Sequence, residues 1–201
     1  MKIIRAVEFG HDAKLKISKI FVDGLYQWLR FFSKDKNKLQ KAFTHMFNLD
    51  VFYVAVIDGG IAGMAACTDG KAASVHLQRK ELKKHLGFLM GTITYYILKN
   101  QFEQKPYPFE IERGVGAVEF VATSNEFRGQ GVATAMMKHI IDSSPYDEYV
   151  LEVADTNTIA VRLYEKLGYK EFLRIKHKHS KRSGVDYLVY MKYSKKNAIM
   201  K

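Results

Sequence analysis

The segment Val118-Glu119-Phe120-Val121-Ala122-Thr123-Ser124-Asn125-Glu126-Phe127-Arg128-Gly129-Gln130-Gly131-Val132-Ala133 decides the fold of this chain. Its first residues are mostly apolar, as in a strand, and an amphipathic pattern predicts a helix over residues 131–142. Two glycines lie between them and let the backbone approach a ligand closely. Several N–H groups and the positive end of the helix dipole then point to one place. Such an arrangement binds anions.

Three kinds of phosphate site share this outline. A P-loop needs Gly-Lys-Ser/Thr, which is absent. A dinucleotide fingerprint needs a glycine where Thr134 stands, although Glu152 lies about 20 residues further on, where a ribose-binding acid is expected. Against that fingerprint, we expect no parallel βαβ unit around the loop, because the flanking hairpins are antiparallel. The third kind of site binds the pyrophosphate of coenzyme A.

A second stretch favours coenzyme A. Leu151-Glu152-Val153 is followed by Asn157-Thr158-Ile159-Ala160-Val161-Arg162-Leu163-Tyr164-Glu165-Lys166-Leu167-Gly168-Tyr169. With Arg-Gly-x-Gly-x-Ala, this stretch resembles the GNAT superfamily of N-acetyltransferases, where a strand L-x-V leads to a helix N-x-x-A-x-x-L-Y-E-K-x-G-F/Y. Around residues 115–193 the chain resembles the ribosomal-protein alanine N-acetyltransferase branch, and the resemblance extends to the first half only in outline.

The resemblance implies an N-acetyltransferase that uses acetyl-CoA as cosubstrate, without a metal. An acetyl group would pass to a primary amine by direct attack in a ternary complex. Backbone groups of Val121, Ala122 and Thr123 would pair with the pantetheine arm, and an N–H near Val121 would hold the developing oxyanion. The residues implied to bind the rest of the cofactor are Arg128, Gly129, Gln130, Gly131, Val132, Ala133, Thr134 and Asn157.

The resemblance also implies the residues that move protons. Tyr164 falls at the position that protonates the departing thiolate, because a phenol can donate a proton to sulfur. An amine acceptor is mostly protonated at neutral pH, so a base must remove a proton before attack. Glu152 is the first candidate, Glu119 the second, and an ordered water could replace either. The same resemblance makes a homodimer possible.

Composition limits the class of protein. The chain has 201 residues, of which 47% are hydrophobic and 26% charged, and its formal net charge is +11. We expect one domain over residues 1–201, in the cytoplasm and without a membrane partner, since no apolar run is long enough to span a bilayer. The single cysteine, Cys67, is expected in the core. We expect no nucleic-acid partner, because no aromatic RNA-binding signature or DNA-reading helix accompanies the charge.

A different class of function stays open. The chain could be a non-catalytic acyl-CoA sensor, or a basic nucleic-acid-associated module that reuses the fold. Glu152 and Tyr164 discriminate between these functions, because a pure binder needs neither side chain.

The remaining patterns predict an α/β (α+β) fold with a mixed, mostly antiparallel central sheet and helices on both faces. A long helical insertion at residues 74–104 is expected to roof the acceptor site. The other predicted elements are strands at 2–7, 115–123, 148–154, 169–178 and 187–193, a hairpin of 51–57 with 61–67, and helices at 14–32, 39–47 and 156–167.

Overall fold

The computed structural model describes residues 1–104, 106–178 and 180–196, which contain a seven-stranded sheet in the order β1-β2-β3-β4-β5-β7-β6. The strands are β1 (Lys2–Arg5), β2 (Phe52–Ile57), β3 (Gly60–Thr68), β4 (Val115–Thr123), β5 (Glu148–Ala154), β6 (Lys170–Lys176) and β7 (Tyr187–Ser194). The helices are α1 (Ala13–Leu29), α2 (Lys36–Phe43), α3 (Arg79–Leu86), α4 (Phe88–Leu98), α5 (Val132–Ser143), α6 (Thr158–Lys166) and α7 (Ser180–Ser183).

The sheet is mixed and mostly antiparallel, as the sequence predicts. β4 and β5 form a parallel pair, whereas the other neighbouring pairs are antiparallel. The expectation that no parallel βαβ unit surrounds the glycine loop is therefore wrong. β4, α5 and β5 form such a unit, because α5 carries the chain back to the edge at which β4 began.

Helices cover both faces of the sheet. Successive residues of a strand point to opposite faces, and β2 shows this alternation clearly. Phe52 and Val54 belong to a core with α1, α2, α3 and α4. Tyr53 and Ala55 belong to a second core with α5 and α6. We call these two sides the α1 face and the α5 face.

The predicted helical insertion begins later than expected and is divided. Residues 74–78 are extended, because the Ser74 carbonyl accepts from the Asn48 N–H at 3.0 Å and the His76 N–H donates to the Met46 carbonyl at 2.7 Å. α3 and α4 are separated by Gly87, whose φ of +82° suits a glycine. A π-helical turn, Lys99–Glu103, completes the insertion.

Two other predicted boundaries shift. The first strand ends at Arg5, and a 3₁₀ turn, Ala6–Phe9, follows it. The closing strands β6 and β7 are antiparallel as predicted, but α7 lies within their connection. Among the described helices, none combines the length and the apolar character needed to cross a bilayer.

β4 and β5 diverge in the middle of the sheet. Their register pairs Val115 with Glu148 and continues to the pair of Val118 with Leu151, where it stops. β4 stays paired with β3 as far as Thr123, and β5 stays paired with β7 as far as Ala154. The sheet therefore opens into a V between these two strands.

Candidate functional site

A bulge in β4 shapes one arm of the V. Phe120 has a φ of +54°, and the register with β3 shifts between Met64 and Ala66. A large side chain rarely adopts this left-handed conformation, which costs roughly 1–2 kcal/mol. The Phe120 ring packs against the rings of Phe52 and Phe102, with centroids 6.1 Å and 5.4 Å away. The aromatic core of the α1 face thus holds the bulge in place.

Both candidate bases line a cleft on the α1 face. The bulge makes Glu119 and Phe120 face the same side, although they are consecutive in the chain. The cleft has a volume of about 270 Å³. Its described lining residues are Leu25, Gln101, Phe102, Pro106, Tyr107, Val118, Glu119, Phe120 and Glu152. The structure therefore brings Glu119 and Glu152 together where β4 leaves β5.

Glu152 is held by the neighbouring strand. It lies opposite Tyr190 in the β5–β7 register, and the Tyr190 hydroxyl donates to Glu152 Oε2 at 2.7 Å. Burial raises the pKa of Tyr190, and its hydrogen bond to Glu152 adds to the rise. Tyr190 therefore stays a neutral donor at physiological pH and fixes the position of the Glu152 carboxylate through this hydrogen bond.

Glu119 is held by two hydroxyl groups. Tyr107 donates to Glu119 Oε1 at 2.9 Å, and the Ser74 hydroxyl donates to Oε2. Burial raises the pKa of Tyr107, and the charge of Glu119 raises it further. Ser74 belongs to the extended stretch before α3, so the insertion contributes directly to the site. Both carboxylate oxygens of Glu119 accept hydrogen bonds.

Tyr164 lies on the other side of the sheet. Its side chain is 6% exposed and packs in the core of the α5 face, 5.8 Å from the ring of Tyr169. Burial raises the pKa of Tyr164, so its hydroxyl keeps its proton at neutral pH. Cys67 lies in the same core, as predicted, where burial raises the pKa of its thiol to about 12. The V between β4 and β5 separates Tyr164 from the two carboxylates.

The glycine loop leads into an open helix N-terminus. Gly129 and Gly131 both have a φ of +77°, which favours glycine over any other residue. Gly131 is the N-cap residue of α5 and, as a glycine, supplies no side-chain hydrogen bond to that end of the helix. The first N–H groups of a helix have no partner within it, so those of α5 are available to an anion. Arg128 is exposed at the start of the loop.

The remaining predicted residues lie along the same edge. Val121 packs toward the α5 face and Ala122 toward the α1 face, while Thr123 pairs with Gly63 of β3. Asn157 is exposed at the N-terminus of α6 and accepts a hydrogen bond from the Ala160 N–H at 3.3 Å. The cap that Asn157 provides explains its place in the sequence independently of any ligand.

The sequence did not reveal the three hydroxyl groups that donate to Glu119 and Glu152. The alternation of β7 would identify Tyr190 only if the register of β7 with β5 were known in advance. Tyr107 lies between two prolines, and Ser74 lies in a stretch that was predicted to be helical. Neither of these two residues has a sequence signal that points to Glu119.

Comparison with known protein families gives one match. The sequence profile of the Acetyltransferase (GNAT) family matches residues 22–169. No curated protein sequence matches the chain significantly. The fold is similar to that of an N-acetyltransferase from Staphylococcus aureus Mu50, with a TM-score of 0.64, 17% identity, and coverage of 96% of this chain and 100% of that one.

Two ribosomal-protein acetyltransferases also share the fold. The ribosomal-protein-alanine N-acetyltransferase from Brucella melitensis has a TM-score of 0.58, 14% identity, and coverage of 96% of this chain and 99% of that one. The ribosomal-protein-S18-alanine N-acetyltransferase from Escherichia coli has a TM-score of 0.52, 14% identity, and coverage of 96% and 92%. At these identities the likeness concerns the fold alone.

Proposed function

The chain belongs to the GNAT family of acetyltransferases, and from that premise we propose that it transfers the acetyl group of acetyl-CoA to a primary amine while both substrates are bound. One observation carries the proposal. β4 leaves β5 after Val118, and the open arm of β4 leads through the glycine loop to the uncapped N-terminus of α5. An extended ligand that ends in a diphosphate fits such an edge.

The diphosphate would lie at the start of α5. The N–H groups of the first helical turn supply donors, and the helix dipole adds a partial positive charge. Arg128 adds a charge-assisted contact from the loop. Asn157 would contact the cofactor from the start of α6. The residues proposed to surround the diphosphate are Arg128, Gly129, Gln130, Gly131, Val132, Ala133 and Thr134.

The thiol arm would lie along β4 inside the V. Beyond Val118 the backbone of this strand is no longer paired with β5, so Val121, Ala122 and Thr123 can pair with an extended ligand. Acetyl-CoA supplies a thioester, whose acyl carbon is open to attack by an amine. The bulge at Phe120 changes the direction of the next N–H group. We assign to the Val121 N–H the role of donating a hydrogen bond to the carbonyl oxygen as negative charge develops on it.

Glu152 would take the proton from the acceptor amine. It lies in the cleft, with Tyr190 holding it in place. Glu119 lines the same cleft and is the second candidate, although its two oxygens already accept from Ser74 and Tyr107. A water bound by either carboxylate could relay the proton. We place the acceptor on the α1 face for this reason.

Tyr164 would return a proton to the departing sulfur. The hydroxyl lies on the α5 face and is protonated at neutral pH, because burial raises its pKa. A proton donor on that face suits a thiolate that leaves on the side opposite to the amine. The insertion contributes Gln101 and Phe102 to the cleft, which supports its proposed place over the acceptor.

The experiment has two parts. Isothermal titration with coenzyme A tests the binding site, and thiol release from acetyl-CoA across a panel of primary amines tests transfer. We expect binding with 1:1 stoichiometry and amine-dependent release, with mass spectrometry showing the N-acetyl product. Binding without turnover on any amine would support the sensor instead, and no binding would refute the proposal.

A further inference from the structure

The described walls of the cleft above the two carboxylates are mostly apolar. Leu25 comes from α1, Phe102 from the π-helical turn and Phe120 from β4. Pro106 adds a further apolar surface, and Gln101 is uncharged. The carboxylates can bind an ammonium group through its charge, and the apolar walls can cover the hydrocarbon chain attached to it.

The apolar surface continues beyond the cleft on two sides. Along α1, one turn after Leu25, Trp28 is 41% exposed and donates to the Ser183 carbonyl in the β6–β7 connection at 3.4 Å. On the sheet side, the ring of Phe109 packs 5.5 Å from the Tyr107 ring and 5.0 Å from Phe172 on β6, which is 45% exposed. One partly exposed aromatic side chain thus lies a helical turn from Leu25 of the cleft, and another is joined to Tyr107 of the cleft through the ring of Phe109.

We propose that the acceptor of this chain is a primary amine carried on an apolar arm, with the amine at the carboxylates and the arm between Leu25 and Phe102. This proposal rests on the function proposed above. Exposed aromatic rings gain free energy when they cover an apolar chain, whereas a second charge or several hydroxyl groups would lose hydration there. Hydrophilic polyamines and amino alcohols are therefore poorer acceptors.

The reaction balances without a further reactant. The amine nitrogen forms a bond to the acyl carbon, and the carbon–sulfur bond breaks. The acceptor enters as an ammonium and its nitrogen loses two protons in all. The first goes to a carboxylate of the cleft or its bound water before attack and passes to solvent. The second leaves the nitrogen once the bond to carbon has formed and balances the proton that Tyr164 gives to the sulfur, so coenzyme A leaves as a thiol. The arm takes no part in bond making, so its length should change affinity and kcat/KM through burial alone.

A homologous series of n-alkylamines tests the proposal, because ethylamine, butylamine and hexylamine have nearly the same basicity. We expect kcat/KM to rise about two- to fourfold for each buried methylene. Butylamine should exceed 1,4-diaminobutane, which has the same chain with a second charge. A flat or falling series, or preference for the diamine or for ethanolamine, would overturn the proposal while leaving acetyl transfer established.

A binding measurement separates this proposal from the proposed function. Trp28 is the single tryptophan of the chain and lies one helical turn from Leu25, so we expect its fluorescence to respond to binding in the cleft. With coenzyme A present, hexylamine should change the emission saturably and 1,4-diaminobutane should not. If hexylamine binds in this way but no amine is acetylated, the apolar site stands and the transferase fails. If neither amine changes the emission and the series is flat, the apolar site fails.

A pair of leucine variants locates the arm. Leu25→Ala should reduce the increase in kcat/KM per methylene by at least half, because it removes one apolar wall of the cleft. Leu15→Ala is the matched control, since Leu15 lies on the same helix and is 43% exposed. The control should keep the wild-type rise. A wild-type rise in Leu25→Ala would exclude this wall from the acceptor site.

Discussion

Glu152 on β5 lies directly opposite Tyr190 on β7, and the tyrosine hydroxyl donates to Oε2 of the carboxylate at 2.7 Å. Regular sheet pairing thus positions Glu152. Glu119 instead takes its donors from Ser74 and Tyr107, which lie in irregular segments. Because different parts of the chain hold the two carboxylates, they can be tested one at a time.

Glu152→Gln should lower kcat by about 10²- to 10⁴-fold, the usual range for loss of a general base. Glu119→Gln should lower kcat only about tenfold, because Glu119 lines the same cleft but is not the proposed base. Initial rates of thiol release measure both effects. The reverse order would make Glu119 the base, and small losses in both variants would favour a bound water.

Tyr190→Phe should lower kcat about tenfold, because it removes a hydrogen bond to a charged group. In a Glu152→Gln background the same change should have little further effect, which a double-mutant cycle measures. Tyr193→Phe is the control, because Tyr193 is on the same strand and packs toward the α5 face. Independent effects in the cycle would show that Tyr190 acts elsewhere.

Tyr164→Phe should lower turnover at least tenfold and leave the Kd for coenzyme A unchanged, because it removes the proposed proton donor. Tyr169→Phe is the matched control. Its hydroxyl is buried and has no hydrogen-bond partner among the described residues, so its loss should leave kcat intact and stability unchanged or higher. Wild-type turnover in Tyr164→Phe would show that Tyr164 packs in the core and does not donate the proton.

Gly131→Ala should raise the KM for acetyl-CoA about tenfold, equivalent to one lost hydrogen bond to a charged group. Gly59→Ala in the β2–β3 turn is the control. Gly59 has a φ of +75° against +77° for Gly131, and an added Cβ meets nothing within 4 Å at either position. Both variants should lose about 1 kcal/mol of stability. Equal KM values would place the cofactor elsewhere.

Stability should fall steeply at alkaline pH. Burial raises the pKa of Tyr164 above its usual value. Above about pH 10 the unfolded chain releases this phenolic proton and the folded chain keeps it. Each such tyrosine then lowers the free energy of unfolding by about 1.4 kcal/mol per pH unit. Urea titrations between pH 8 and 11 measure the slope. Tyr164→Phe should reduce it, whereas Tyr96→Phe, at a 55% exposed position, should not.

The sequence predicted the parts of the fold that local patterns encode. The strand before the glycine loop is mostly apolar, and Gly131 marks the start of α5. The closing strands are antiparallel, as predicted. It could not predict the extended start of the insertion, because residues 74–78 take their shape from pairing with residues 46–48. Such pairing depends on tertiary contacts that are far apart in the chain.

The candidate site shows the same limit. Glu119 and Glu152 were candidates from the sequence because the resemblance to the GNAT superfamily implies a base at these positions. Their convergence needed the parallel pairing of β4 with β5, which the sequence reasoning had excluded. The bulge at Phe120 has no local signal either, since phenylalanine is a poor residue for a positive φ. A tertiary aromatic core imposes it.

The opening between β4 and β5 also has a mechanical consequence. Four residue pairs join these strands, whereas β5 and β7 match over seven. The opening thus divides the sheet into two parts, which we call leaves: β1 to β4 form one and β5 to β7 the other. The two leaves meet at Val118 and Leu151, so we expect a change in the width of the gap to leave the strand pairs within each leaf intact.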